Sequence, residues 1–357
     1  MKRHRIFSHI AFALSGNSVH LISTKSWLIL SFVILTFPVE QGCSKHEHPQ
    51  DSDFTEAPPR SSVKLAVRQN EDALVQSLDA FVFNDDALKR IDCYQRSDEG
   101  NSGEVLIGSC SGSKIVLLCA NAPWEKKKWE EVSSYQKAAS LKVNLENEDE
   151  AYPVMSAVTT IKAGNSADIT LERLTSVIEL NSIRCDFTGK PYEGEEITDA
   201  KVYLTNVNGT CSIMPESVEP IERIINHGSL IQDDIIRFTH FCPIADSIGT
   251  IKISLTHPEI RLLCYPNTSR EESIGTPFTR LVIEGKIQGE TWYWPININR
   301  DCGSGHEGIE RNMKYIYDIT LRSKGTKDPD SPIVAQMAET RLETKKWKEK
   351  QPYHVSF

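Results

Sequence analysis

From residue 63 onward, apolar side chains recur at every second position in short runs separated by polar or glycine-bearing breaks. Val63, Leu65 and Val67 alternate with Lys64, Ala66 and Arg68. A second run carries Val75, Leu78, Phe81 and Phe83 and stops at the turn-forming Asn84-Asp85-Asp86. The same habit predicts strands over 104–108, 114–120, 141–145, 155–162, 168–184 and 201–207, then over 234–238, 250–256, 260–265, 279–286, 291–298 and 314–322. Gln288-Gly289 and Cys302-Gly303-Ser304-Gly305 supply breaks between them. One helix is expected over 124–139, which has no Gly or Pro and follows Pro123. No fixed-period repeat is present, which argues against a solenoid or propeller. The strand count fits a mainly β protein of two tandem sandwiches of about seven strands each, joined somewhere within 175–210.

The run from Trp27 to Phe37 is too short to span a bilayer, which takes about 20 apolar residues. It follows the basic Lys2, Arg3, Arg5 and Lys25 and precedes Gly42-Cys43, the order of a secretory signal. A Gly-Cys junction there resembles a bacterial lipoprotein signal, with Cys43 acylated after the cut. Glu40 and Gln41 depart from the usual residues before such a cysteine, and an ordinary secretory cut is the alternative. The expected organisation is a signal peptide over 1–42, a tether over 43–60, one domain over 61–185 and a second over 186–357. The tether is polar and carries Pro58-Pro59.

The chain has a formal net charge of −9, and removal of the leader takes away four basic residues and one acidic residue. An acidic surface argues against nucleic acid as a partner, because phosphate contacts need a basic face. Besides Cys43 there are eight cysteines with no CxxC pair, so zinc and thioredoxin-like readings are weak. Cys110 and Cys119 flank a Ser-Gly-Ser turn and would face each other across a hairpin; unpaired thiols are the alternative.

No catalytic set is visible. HExxH, GxSxG and Walker-type loops are absent, and the ten histidines are scattered. No metal, cofactor or enzymatic activity is expected. The acidic turns Asn84-Asp85-Asp86 and Asp328-Pro329-Asp330 are better explained as turns than as calcium loops. Asn208-Gly209-Thr210 and Asn267-Thr268-Ser269 match glycosylation sequons. Trp292-Tyr293-Trp294 suggests either core packing or a sugar-stacking platform; in a strand, Trp292 and Trp294 share one face.

The chain's two ends carry strand patterns. Tyr353, Val355 and Phe357 alternate with polar residues up to the last position, where polar disorder is the common ending. The segment before them, 324–351, reads as polar and extended, with Trp347 a lone apolar knob, and reaches up to about 80 Å at ~3.3 Å per residue. Cleavage after Arg68 would release the strand 63–67 and open a slot. A strand from another copy would fill it, main-chain bonds giving affinity and alternate side chains giving register. Two ordinary edge strands are the competing reading.

Several stretches resemble the fimbrillin family of Bacteroidetes fimbrial subunits. They are Leu78-Asp79-Ala80-Phe81-Val82-Phe83-Asn84-Asp85, Arg90-Ile91-Asp92-Cys93-Tyr94-Gln95, Tyr152-Pro153-Val154-Met155-Ser156 and Leu171-Glu172-Arg173-Leu174. Val202-Tyr203-Leu204-Thr205-Asn206, Cys264-Tyr265-Pro266-Asn267, Tyr293-Trp294-Pro295-Ile296 and Gly325-Thr326-Lys327-Asp328-Pro329-Asp330 follow in the same order. The resemblance implies two transthyretin-like Greek-key β-sandwiches, export through the periplasm as a palmitoylated lipoprotein, and assembly on the cell outer membrane into a surface fimbria that mediates adhesion. It further implies Arg-specific removal of the first strand and donor-strand insertion by a neighbour's tail. Carried over, Cys43 is the lipidated residue, Arg68 the processing site with Arg60 second, and Trp347, Tyr353, Val355 and Phe357 the donor strand. The implied partners are other fimbrial subunits, the outer membrane through the lipid, and a host or bacterial surface receptor. The rival function is an anchored surface lipoprotein that binds glycans through Trp292 and Trp294 without polymerising.

Overall fold

The structure, a computed structural model, describes residues 61–68, 73–98, 104–109, 111–215, 221–226, 244–273, 275–300, 308–331, 333 and 337–347. The earlier part of the chain contributes β1 (Ser61–Arg68), β2 (Leu78–Asn84), β3 (Ile91–Ser97), β4 (Glu104–Ser109), β5 (Ser113–Ala120), α1 (Lys126–Glu130), α2 (Tyr135–Ala139), β6 (Lys142–Asn144), β7 (Met155–Lys162), β8 (Ser166–Thr170) and β9 (Glu172–Arg173). A five-stranded sheet of order β3-β2-β5-β7-β9 faces a three-stranded sheet of order β4-β1-β8.

The five-stranded sheet is buried on both faces, which is why β2 and β5 read as nearly continuous apolar runs. Leu78, Ala80, Val82, Val116 and Leu118 pack in one cluster with Leu65, Val67, Met155 and Ile169. Phe81, Phe83, Leu117 and Cys119 belong to a second cluster with Trp129, Val132 and Ala138 of the helical segment. Asp79 shares that second face and is fully buried. Its carboxylate accepts from the Tyr94 hydroxyl at 2.8 Å and from Arg96 at 3.2 Å, and burial pushes it up to about 6.

The single helix expected over 124–139 is instead two five-residue helices. Ser134 is extended and accepts from the backbone N–H of Lys137, capping α2. The break lets Trp129 and Val132 both be buried, with the Trp129 ring 5.0 Å from Phe81 and 4.9 Å from Trp124. β2 begins only at Leu78, because the Asn121 side chain holds the preceding backbone by bonds to Gln76 N, Leu74 O and Pro153 O.

The remainder supplies β10 (Ser176–Cys185), β11 (Ile197–Thr205), β12 (Val207–Asn208), β13 (Thr210–Ser212), β14 (Ile224–Ile225), β15 (Ala245–Ile251), β16 (Ile260–Cys264), β17 (Arg280–Ile287), β18 (Glu290–Asn297), β19 (Met313–Leu321) and β20 (Ala338–Lys346). Two four-stranded sheets result, β16-β10-β19-β20 and β15-β11-β17-β18. Ile178, Leu180, Leu262 and Tyr317 of one join Val202, Leu204, Leu281 and Trp294 of the other in the core. The β17–β18 hairpin turns on Gln288 and Gly289, both at positive φ, as a two-residue hairpin requires.

The continuous strand expected over 168–184 is three strands in three sheets: β8, β9 and β10. β4 and β5 also lie in different sheets and form no hairpin with each other; Cys110, whose pairing with Cys119 was expected across such a hairpin, lies outside the described residues. Cys119, Cys185 and Cys264 are buried free thiols. The expected strand over 234–238 lies outside the described residues as well.

Candidate functional site

β1 is the middle strand of its sheet. It runs antiparallel to β4, with Leu65 opposite Val105, and parallel to β8, with Leu65 opposite Ala167. Among the described residues β4 and β8 have no other ladder partner. Leu65 and Val67 are completely buried. The strand ends at Arg68, still in register with Thr170, and the chain is next described at the buried Ala73. Leu74 N then donates to Ala151 O at 3.0 Å. The Arg68 peptide is therefore part of a ladder, five positions before Ala73, the next described buried residue. Cys43 and Arg60 lie outside the described residues.

At the other end, β20 lies as an edge strand on β19, in register from Met313↔Lys346 to Leu321↔Ala338. Its alternation was invisible in the sequence because most of its side chains face solvent. The segment before it is docked too. Thr326 exchanges two backbone bonds with Tyr293, of 2.8 and 3.0 Å, and a side chain at Gly325 would collide with Tyr293 O. Within the segment expected to be extended over 324–351, Thr326 and the strand Ala338–Lys346 are thus paired with their own chain. Trp347 is no exposed knob. It is buried against Val177 and Leu263, its ring faced by Lys314 Nζ at 3.7 Å, Arg173 at 3.9 Å and Arg261 at 5.7 Å. Tyr353, Val355 and Phe357 lie outside the described residues.

The contacts around Trp347 continue into a polar seam joining the earlier and later sheets. Arg311 donates to Glu172 O at 2.9 Å, Arg173 O at 3.3 Å and Ser156 Oγ at 3.0 Å. Ser156 in turn donates to Ile213 O at 2.5 Å. Glu148 is buried; it accepts from Val154 N at 3.0 Å and the Tyr265 hydroxyl at 2.9 Å. Burial pushes its carboxyl up to about 7. β6 pairs with β13 across the same seam. None of these seam residues was singled out for this role from the sequence; the motifs 152–156 and 171–174 were legible, but not what they meet.

The alternative chemistries find structural occupations. Trp294 is fully buried, its indole N–H donating to Ser323 O at 2.9 Å. Trp292 is half-buried and covered by Lys327 Nζ, 3.5 Å from its ring centre. The pair therefore offers no open stacking platform. The amide of Asn267 is spent on Pro277 O and Thr279 Oγ1, and that of Asn208 on Pro266 O. Asp86 accepts from Leu88 N and Lys89 N, and Asp328 from Asp330 N and Ser331 Oγ, so both acidic turns are self-satisfied. Among the described residues no group of three or more His, Cys, Asp or Glu is placed to hold a metal, and no helix is long and apolar enough to cross a membrane.

A family profile for the major fimbrial subunit protein (FimA) matches residues 62–205, from β1 through β11. No curated protein sequence matches the chain. Among solved structures, a fimbrilin (FimA) of Porphyromonas gingivalis is 16% identical with a TM-score of 0.58, covering 80% of this chain and 97% of its own. A candidate cell adhesion protein of Bacteroides eggerthii is 15% identical with a TM-score of 0.64, covering 83% and 98%. The tip fimbrial protein Mfa3 of P. gingivalis, truncated at its C-terminus, is 11% identical with a TM-score of 0.51, covering 81% and 100%. At these identities the likeness is one of fold. With the family match it makes the chain fimbrillin-like, as the resemblance in the sequence implied. The family described is one of structural subunits, not enzymes.

Proposed function

We propose that this fimbrillin-like chain is a structural subunit of a cell-surface fimbria, and that it polymerises by exchanging β1 for a neighbour's C-terminal strand. The observation that supports this is the place of β1: the first described strand, ending in an arginine, at the centre of a three-stranded sheet. Excising it would leave β4 and β8 without ladder partners and two side-chain sites empty. An incoming extended strand with alternating apolar residues satisfies both needs. In this reading Cys43 carries the lipid that brings the subunit to the outer membrane, and the processing cut falls after Arg68, with Arg60 the second choice. Tyr353, Val355 and Phe357 enter the slot, while Trp347 stays home as the anchor from which the last ten residues reach about 33 Å at ~3.3 Å per residue. The sheets change membership between Arg173 and Ser176, and we place the division into two sandwiches there. Adhesion to a receptor on another surface is the expected use of the fibre.

The test is deletion of residues 351–357. The truncated chain is expected to fold and be exported but to be absent from fibres; normal incorporation would refute donor-strand exchange. N-terminal sequencing of fibre-derived protein is expected to start at Gln69.

A further inference from the structure

Lys114 is the second residue of β5, and its side chain is almost wholly buried. A lysine in that setting needs partners, and two adjacent strands provide them. Asn84, the last residue of β2, is its direct register partner, with Oδ1 2.6 Å from Lys114 Nζ. Asp92 of β3 places Oδ2 3.0 Å from the same nitrogen and is itself only 11% exposed. Asp92 reaches that point through a bulge: the β2–β3 register passes from Val82↔Cys93 to Phe83↔Ile91 and skips it. Bulges commonly re-aim a side chain in this way. Along the strands, Asn84 follows Val82 and Lys114 precedes Val116, so both lie on the apolar face that β1 covers.

A primary amine, a carboxamide and a carboxylic acid thus converge at one sheltered spot. We propose that Lys114 and Asn84 become joined by an intramolecular isopeptide bond, with Asp92 as the general acid and base. The lysine proton first passes to Asp92. Nζ then attacks Asn84 Cγ while Asp92 hydrogen-bonds the carbonyl oxygen. As the tetrahedral centre collapses, Asp92 carries a proton to Nδ2, the Cγ–Nδ2 bond breaks, and ammonia leaves. The proton left over from the lysine departs with it as ammonium, and Asp92 returns to carboxylate. No oxidant or cofactor enters. The position suits the reaction, since the carbonyl carbon lies one bond beyond an oxygen already in contact with the nucleophile. The link would tie β2 to β5 in the middle of the five-stranded sheet, and the inference holds whether or not the chain enters a fibre.

Intact-mass measurement of the folded, purified chain tests it. The expected mass is about 17 Da below that of the sequence, the loss of one ammonia in amide formation. Trypsin is expected to leave a branched species joining 69–89 to 97–126, uncut after Lys114. Asn84→Asp is expected to link with loss of water, about 18 Da, because an acid replaces the amide. Asp92→Asn is expected to slow linkage on the order of a hundredfold, the usual worth of a positioned acid–base group. Full sequence mass in the wild-type chain would overturn the proposal, leaving an ordinary buried ion pair. So would a 17 Da deficit that fragmentation places at Asn84 of a linear 69–89 peptide, rather than at its N-terminal Gln69 where pyroglutamate forms, since that marks cyclisation of Asn84 alone. Both readings come from the wild-type protein and do not depend on any variant folding.

Discussion

Replacing Leu65 with alanine asks how much of the fold rests on β1. Leu65 is fully buried at the centre of a strand on which both neighbouring strands depend. Truncating a buried leucine costs about 2–5 kcal/mol, the upper part applying where the site cannot collapse. Here the five-stranded sheet fixes one wall of the site, so we expect about 3 kcal/mol, roughly a hundredfold shift in the folding equilibrium. Leu74 lies nine residues later and is 51% exposed; Leu74→Ala should stay within about 0.5 kcal/mol. Urea titration of chains truncated before residue 61, followed by tryptophan fluorescence, compares the two directly. Trp124 and Trp129 stand across the five-stranded sheet from β1 and report on that part of the molecule. A Leu65→Ala cost no larger than that of Leu74→Ala would show that β1 does not fill a packed slot. The case for a slot awaiting a replacement strand would then fail.

Glu148 sits near pH 7 in the folded chain against an ordinary 4.5, because burial disfavours its charge. The folded chain therefore keeps a proton that the unfolded chain loses between about pH 4.5 and 7, and stability falls as pH rises through that window. Glu148→Gln should flatten the fall by up to about 3 kcal/mol, leaving a smaller decline of the same sign from Asp79; an unchanged pH slope in urea midpoints would refute this. Trp347→Ala should cost about 3–5 kcal/mol and speed amide exchange in β20; unchanged exchange would mean that the indole does not hold the strand. Arg-specific cleavage after Arg68 should accelerate in sub-denaturing urea, since the bond lies in a ladder and needs local opening; a urea-independent rate would contradict that placement.

Strands that bury one face or both were legible, because alternation or unbroken apolar runs are direct consequences of burial. β5, β7 and the β17–β18 hairpin lie close to where the pattern put them. β3 and β20 were missed for the opposite reason: as edge strands they are held mainly by backbone bonds, and their side chains are half-exposed or exposed. The run 168–184 shows another limit. Apolar periodicity continues through it while the chain changes sheets twice, and nothing local records which partner each piece takes. Trp347 was legible as an anomaly but not as an anchor, since Arg173, Arg261 and Lys314 come from three distant segments. The Lys114–Asn84–Asp92 convergence was similarly hidden, because it depends on a bulge that only the pairing register reveals.

The place of β1 also constrains how the proposed exchange would proceed. Losing Leu65 and Val67 from the core would forfeit roughly 3–6 kcal/mol of transfer free energy alone, at about 1.5–3 kcal/mol for each buried side chain. The loss of ladder bonds to both β4 and β8 adds to this. Against a typical domain stability of about 5–15 kcal/mol, a subunit with an empty slot would stand near the edge of unfolding. Cleavage after Arg68 does not itself empty the slot, because a nicked β1 keeps its side chains packed and both its ladders. The proposed exchange would then proceed most easily with the new strand pairing as the old one peels away, so that β4 and β8 are never both unpartnered. The parallel β1–β8 and antiparallel β1–β4 ladders give that replacement a template on either side. A nicked subunit is accordingly expected to remain folded and monomeric until it meets a competent tail. Spontaneous loss of the 61–68 peptide on dilution, followed by exposure of apolar surface, would show instead that emptying comes before filling.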